Sequence, residues 1–320
     1  MNETPRVLLV GAGAVGQVFG KYLQAAGCEL SFLVKEKYAD EARHGFTLYE
    51  LGILEKDPEP TTFSGFGVQV SNEEVAARRW DQVWLCVSST ALRAGNWVGE
   101  LARATGEATW IMLQPALDDR EWLLQWIAPE RLVSGMIPFI SFHAPLKPGE
   151  RLPRPGTAFW LPPMSRGLFS GPPERLQPVI RTLRAGGYPA RPTPDVVRDV
   201  AIPSAVLTVF VNGLEAAGWS FERFLQRDSL EHVHRAAREA VQVAASHTKG
   251  SASTVLPLLR PVLFKLLLPV AAQLTPFDLE TYLKVHFTKV GEQTRSMMRT
   301  YVDLGRSAGL PIEHLQAASR

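Results

Sequence analysis

The sequence predicts an α/β chain, with a doubly wound, parallel sheet in residues 1–195 and an all-α domain in residues 196–320. Three observations carry that expectation. Short apolar runs alternate with helical spacing through the first half. A glycine-rich turn follows the first of those runs directly. Beyond about Asp195 the spacing is helical throughout and no convincing strand remains.

The elements follow in order. Strands are expected at 7–10, 30–34, 83–87 and 110–113, then across 133–142, with helices around 91–105 and 119–127. Proline and glycine are dense from Pro145 to Pro173, which suits extended or hairpin structure. A helix over 176–185 leads into Gly186-Gly187 and a proline-rich turn ending at Pro194. The second domain carries helical spacing at 201–217, 222–245, 256–273 and 278–308. Trp80, Trp84, Trp97, Trp110, Trp122 and Trp126 cluster in the first domain and are read as core or interface filling.

Composition narrows the function classes. The 320 residues suffice for two cores, and 46% hydrophobic with 21% charged residues is ordinary for a globular protein. A net charge of +2 gives no reason to expect nucleic acid or a membrane surface as partner. Two cysteines, Cys28 and Cys86, and a start without a basic and apolar leader point to a cytoplasmic protein. The apolar stretch 255–269 is broken by Arg260, Lys265 and three prolines, so a spanning helix is not expected. The segment 256–274 is nonetheless too apolar to sit comfortably in water, and a homodimer pairing through it is open.

The chemistry starts at Gly11, Ala12, Gly13, Ala14, Val15 and Gly16, directly after Val7-Leu-Leu-Val10 and before helical spacing over 17–26. Strand, G-x-G-x-x-G and helix in that order form the phosphate-binding turn of a Rossmann-type dinucleotide fold. Gly11 permits the tight turn, Gly13 lets the backbone approach a pyrophosphate, and Gly16 lets the helix lie close on the strand. The helix N-terminus offers N–H groups and a positive dipole end. At the end of the second strand, Lys35 stands where a basic residue accommodates the 2′-phosphate of NADP, with Lys37 close by. The other reading has both lysines solvated and Glu36 on the ribose, which gives NAD.

The chain resembles the ketopantoate reductase (2-dehydropantoate 2-reductase) family. The resemblance rests on the glycine turn followed by Gly20 and Leu23-x-x-x-Gly27, and on Phe32-Leu-Val-Lys35. It continues with Gln114-Pro-Ala against the family's Gln-Asn-Gly, Val211-Asn212-Gly-Leu-x-Ala against Ile-Asn-Pro-Leu-Thr-Ala, and Lys289-x-x-Glu292 against Arg-x-Thr-Glu-Ile-Asp. It implies NADPH-dependent reduction of a small 2-oxo acid, 2-dehydropantoate in pantothenate biosynthesis, with the substrate held between the domains. It places Val87, Ser88, Gln114 and Glu292 at the cofactor and Ser204, Thr208 and Asn212 at the substrate. The chain also departs from the family. Ser204 stands where the catalytic lysine is expected, the asparagine expected near Thr208 is absent, and Pro115 replaces the asparagine of the Gln-Asn-Gly loop.

Hydride addition to a ketone creates alkoxide character and calls for a proton donor or cation, which serine does not supply. Tyr282, His286, Lys289 and Gln293, at steps of four, three and four, share one face of the expected last long helix, with Glu292 beside it. That face offers Lys289 or His286 as donor and Glu292 as a catalytic or hydroxyl-holding carboxylate; it also reads as a solvated face with a Lys–Glu pair. His232 and His234 are two apart and face different sides of a helix, so no metal is expected. Asp118-Asp119 reads as a cap for the helix at Arg120. Two further functions stay open: a reductase or dehydrogenase for a different hydroxy acid or imine, and a catalytically silent NADP-binding protein.

Overall fold

A computed structural model describes residues 4–53, 58–150 and 152–319. Its strands are β1 (Arg6–Val10), β2 (Glu29–Leu33), β3 (Phe46–Glu50), β4 (Pro60–Phe63), β5 (Gly67–Gln69), β6 (Gln82–Leu85), β7 (Thr109–Met112), β8 (Leu132–Gly135), β9 (Ile140–Ala144), β10 (Gly156–Trp160), β11 (Gly167–Ser170) and β12 (Ala190–Pro192). Eight of them form one sheet in the order β12-β11-β8-β7-β6-β1-β2-β5. From β5 to β8 every pairing is parallel, and only the β8–β11 pair is antiparallel. β1 lies between β2 and β6, which is the point where the order of a doubly wound sheet reverses. Val7, Leu8 and Leu9 are fully buried, as a central parallel strand covered on both faces requires.

The helices are α1 (Ala14–Ala25), α2 (Ala39–Arg43), α3 (Asn72–Ala76), α4 (Ser89–Leu92), α5 (Trp97–Ala104), α6 (Asp119–Leu123), α7 (Pro173–Ala185), α8 (Val196–Ala216), α9 (Phe221–Phe224), α10 (Arg227–His247), α11 (Pro261–Leu274), α12 (Leu279–Lys289), α13 (Gly291–Ser307) and α14 (Glu313–Ala318). The chain divides into two compact units. One comprises Met1–Gln114 and Asp119–Val196, the other Pro115–Asp118 and Val197–Arg320. Both sheets belong to the first unit. In it the aromatic core gathers Phe19, Trp84, Phe139 and Tyr188, with Phe19 5.0 Å from Trp84 and 5.3 Å from Tyr188. Trp80, Trp84 and Trp110 are buried, whereas Trp126 is 39% exposed.

Three sequence expectations change here. The stretch 133–142 is not one strand. β8 ends at Gly135, Pro138 follows, and β9 joins a second sheet of order β4-β3-β10-β9. That second sheet of β3, β4, β9 and β10 was not anticipated, because its strands are short and β4 reads Pro-Thr-Thr-Phe with little apolar alternation. The helix expected over 278–308 is broken at Val290 (φ −108°, ψ 20°) into α12 and α13. A β-branched residue followed by glycine, Val290-Gly291, is a weak place to continue a helix.

In the second unit, α10 buries Val233, Ala237, Val241 and Ala244 along one stripe. α11 differs: Val262, Leu266, Leu267, Val270 and Leu274 are all at least half exposed. Among the described residues α8 is long and apolar enough to cross a membrane by length and composition, and α11 with α12 only if joined across a 95° bend.

Candidate functional site

Val10 sits opposite Leu33 on one side and Leu85 on the other, and Leu85 opposite Met112. The residues that follow these strands therefore emerge along one edge of the sheet. Parallel pairing thus brings together the Gly11 turn, Lys35, Val87-Ser88 and Gln114, all selected from the sequence as cofactor-binding.

The turn has the shape that a pyrophosphate requires. Gly11 has φ 97°, and a Cβ there would stand 3.0 Å from both the Cys86 carbonyl oxygen and a Val87 methyl. A Cβ on Gly16 would come within 2.2 Å of the Gly11 carbonyl oxygen, so α1 crosses the turn at a distance that only glycine allows. Gly13 is the opposite case: a Cβ would meet nothing within 4 Å, because this residue faces open space. Gly13 is also the N-cap of α1, with no side-chain cap and no acidic residue in the first turn. The first N–H groups of a twelve-residue helix are thus left to an external acceptor. Gln17 steadies the turn by donating its amide Nε2–H to the Ala12 carbonyl at 2.8 Å.

Around this turn the side chains divide into those that present themselves and those that hold backbone. Lys35 is exposed at the end of β2 and has no carboxylate partner among the described residues. Lys37 instead lies over the Tyr38 ring at 4.8 Å. Gln114 is buried, and its amide is fully used: Nε2 donates to the carbonyls of Leu85 and Val87 at 2.9 and 2.7 Å, while Oε1 accepts from the Leu113 N–H. It shapes the turn after β6 and has no donor left for a ligand. Ser88 caps α4 by accepting from the Ala91 N–H.

The sequence missed a buried anchor behind this turn. Asp119, the first residue of α6, is wholly buried; it accepts from the Ser89 hydroxyl at 2.7 Å and pairs with Arg93. The Arg93 guanidinium in turn lies 5.6 Å from the Trp122 ring. The one available signal was Ser89 directly after the third strand, but nothing in the spacing joins it to a residue thirty positions on.

The second unit holds the predicted substrate and catalytic residues. On α8, Ser204, Thr208 and Asn212 recur every fourth residue and share a face. The Thr208 hydroxyl donates to the Ser204 carbonyl at 2.8 Å, and the Ser204 hydroxyl reaches the Pro115 carbonyl at 3.4 Å. The phenol of Tyr301, on α13, is buried beside both hydroxyls. Burial pushes its pKa up to about 12, although no hydrogen bond of ordinary geometry reaches its oxygen. Asn212 is occupied elsewhere, donating to the Ala318 carbonyl at 2.8 Å.

The expected polar face does not form as one surface. Tyr282, His286 and Lys289 lie on α12, whereas Glu292 and Gln293 lie beyond the break on α13. Glu292 is tied into an ion network, with Arg299 at 2.8 Å and Arg295 at 3.4 Å, and Arg295 extends to Glu215 at 3.5 Å. The Arg299 and Arg295 contacts hold its carboxyl below the usual carboxylate range. His286 stacks on Tyr282 at 5.2 Å; burial first, and the Lys289 charge second, lower its pKa to about 4. An imidazole so lowered is neutral near pH 7. Lys289 is exposed and has no carboxylate partner among the described residues.

Residues 7–146 match the model of the family described as ketopantoate reductase PanE/ApbA. That stretch, a little under half of the chain, is similar to the ketopantoate reductase family over those residues. No curated protein matches the chain. Among solved structures, the chain resembles 2-dehydropantoate 2-reductase from Geobacter metallireducens GS-15, with a TM-score of 0.70 and 19% identity over 98% of this chain and 97% of that one. A 2-dehydropantoate 2-reductase from Methylococcus capsulatus gives 0.69 and 16% over 98% and 94%. A D-mandelate dehydrogenase bound to NADH and anilino(oxo)acetate gives 0.69 and 12% over 98% and 96%.

These likenesses extend the fold of a ketopantoate reductase, a Rossmann sheet followed by a helical domain, over nearly the whole chain. The family match ends before α8, α12 and α13, where this chain departs most from the ketopantoate reductase pattern.

Proposed function

We propose that the protein reduces a small 2-oxo acid, binding NADPH on the Gly11 turn and drawing on Lys289 for the proton. The observation that carries this reading is the uncapped N-terminus of α1 behind Gly13, open to solvent and flanked by Gly11 and Gly16, where a side chain would crowd the backbone. The residues present fit a dinucleotide. The turn's N–H groups would hold the pyrophosphate, and Lys35, a cation without a partner at the end of β2, would meet a 2′-phosphate. When bound, the reduced nicotinamide supplies a hydride to the carbonyl carbon of the acid.

The chain's own part is to charge-stabilise and protonate the carbonyl oxygen. Ser204 offers no cation, Glu292 is already neutralised by two arginines, and His286 is uncharged near pH 7. Lys289 is the one expected donor whose charge is unspent among the described residues. Lys289→Ala is expected to abolish NADPH oxidation by a 2-oxo acid while leaving NADPH affinity within about twofold, as fluorescence titration would show. Unchanged turnover in that variant removes Lys289 from the reaction. The occupied state of Glu292 and Asn212 supports a second reading, a protein that binds NADPH and turns nothing over.

A further inference from the structure

The opposite edge of the large sheet carries a second constellation that the glycine turn does not use. β6 and β7 begin there, beside a cleft of about 340 Å³ lined by Arg78, Arg79, Asp81, Arg103, Glu107 and Arg175. Four guanidinium groups thus face two carboxylates. Part of the acidic side is already engaged, since Asp81 accepts from the Arg6 backbone N–H at 2.8 Å. On the basic side, Arg78 reaches Glu29 at 3.5 Å. Arg79, Arg103 and Arg175 have no carboxylate partner among the described residues.

What holds the arginines is as telling as what they lack. Arg175 donates to the Glu107 carbonyl at 3.0 Å and to the Thr109 hydroxyl at 3.4 Å. Arg131 donates its Nε–H to the next carbonyl, Ala108, at 3.2 Å, and its Nη2 is buried with no partner. Two like charges are therefore pinned to consecutive residues of one turn by neutral acceptors, which orient the guanidinium groups and cancel none of their charge. Burial, and beyond it the Arg175 charge, lower the Arg131 pKa, against the pull of Glu107. Such an arrangement is costly until an anion joins it.

We propose that this cleft binds a small oligophosphate, either free pyrophosphate or the phosphate chain of a nucleotide, gripped by Arg79, Arg103 and Arg175 with Arg131 behind them. The planar guanidinium fork matches phosphate oxygens, and several such forks in one cleft suit a multiply charged ligand better than a single carboxylate. The site is separate from the glycine turn. β6 and β7 have four residues each, so the two edges lie about 13 Å apart at ~3.3 Å per residue.

Calorimetric titration of the full chain with sodium pyrophosphate, repeated with ADP, at physiological salt tests this directly. With the glycine turn filled by saturating NADPH, one equivalent is expected to bind. Arg79→Ala combined with Arg103→Ala should weaken it about 100-fold, roughly tenfold for each charge-assisted contact removed. Both side chains are exposed, so the melting temperature should not move; the Arg79→Lys, Arg103→Lys pair should keep most of the affinity. ADP tighter than pyrophosphate assigns the cleft to nucleotides, and equal affinity assigns it to the free anion. Absence of saturable heat overturns the proposal. So does full binding in the double alanine variant, which would place the anion away from these arginines.

Discussion

Gly13 and Gly16 sit three residues apart and make opposite predictions. Gly16→Ala drives a methyl to 2.2 Å from a backbone oxygen, which should cost about 3 kcal/mol and lower the melting temperature by several degrees. Gly13→Ala meets no atom and has a backbone (φ −71°, ψ 179°) that alanine adopts freely, so stability should hold. Dinucleotide affinity should still fall at least about tenfold, because the methyl occupies the approach to the helix N-terminus. Lys35→Ala should weaken NADPH about 10- to 100-fold and NADH less than about twofold, read by competitive titration of the two cofactors. Asp119→Ala takes from the partly buried Arg93 that wholly buried carboxylate and should cost about 3 kcal/mol in denaturant unfolding. The glycines and Lys35 were legible because their roles are local to one strand and one turn. Asp119 was not, since its partners are joined to it only by the packing of α4 on α6.

The strands β1, β2, β6 and β7 were visible as apolar runs because a parallel strand buried on both faces needs nothing but apolar residues. β3 and β4 were not, because a small sheet with polar edges leaves no run to see. The long C-terminal helix was over-read for a related reason: periodicity continues across Val290, and only backbone preference at Val290-Gly291 separates α12 from α13. That separation decides the fate of His286. Its folded pKa of about 4 lies below the unfolded value of about 6.5, so the folded protein binds fewer protons and is favoured as pH rises between them. Stability should fall by about 2–3 kcal/mol as pH drops from 6.5 to 4 and level off below that. His286→Phe should flatten that slope in urea melts taken across the range; an unchanged slope would show that the imidazole is not buried neutral.

The two units differ in how far sequence explains them. In the sheet unit, recognisable turn chemistry, strand order and residue placement agree, and the ketopantoate reductase match covers most of it. In the helical unit the fold persists at 19% identity or less, while the side chains at the expected site positions depart from the pattern that the sequence led us to expect. Ser204 stands where a lysine is expected, and Glu292 and Asn212 already have partners within the unit. A fold held by apolar stripes such as that of α10 tolerates such exchanges, because none of these side chains carries the core. The reductase reading therefore rests on whether bound NADPH can pass its hydride. Single-turnover mixing of the NADPH complex with a panel of small 2-oxo acids, 2-dehydropantoate among them, follows that step by nicotinamide absorbance. At least one acid should consume one equivalent of NADPH per chain. NADPH that stays bound and reduced with every acid would contradict the reductase reading and leave a dinucleotide-binding protein without turnover.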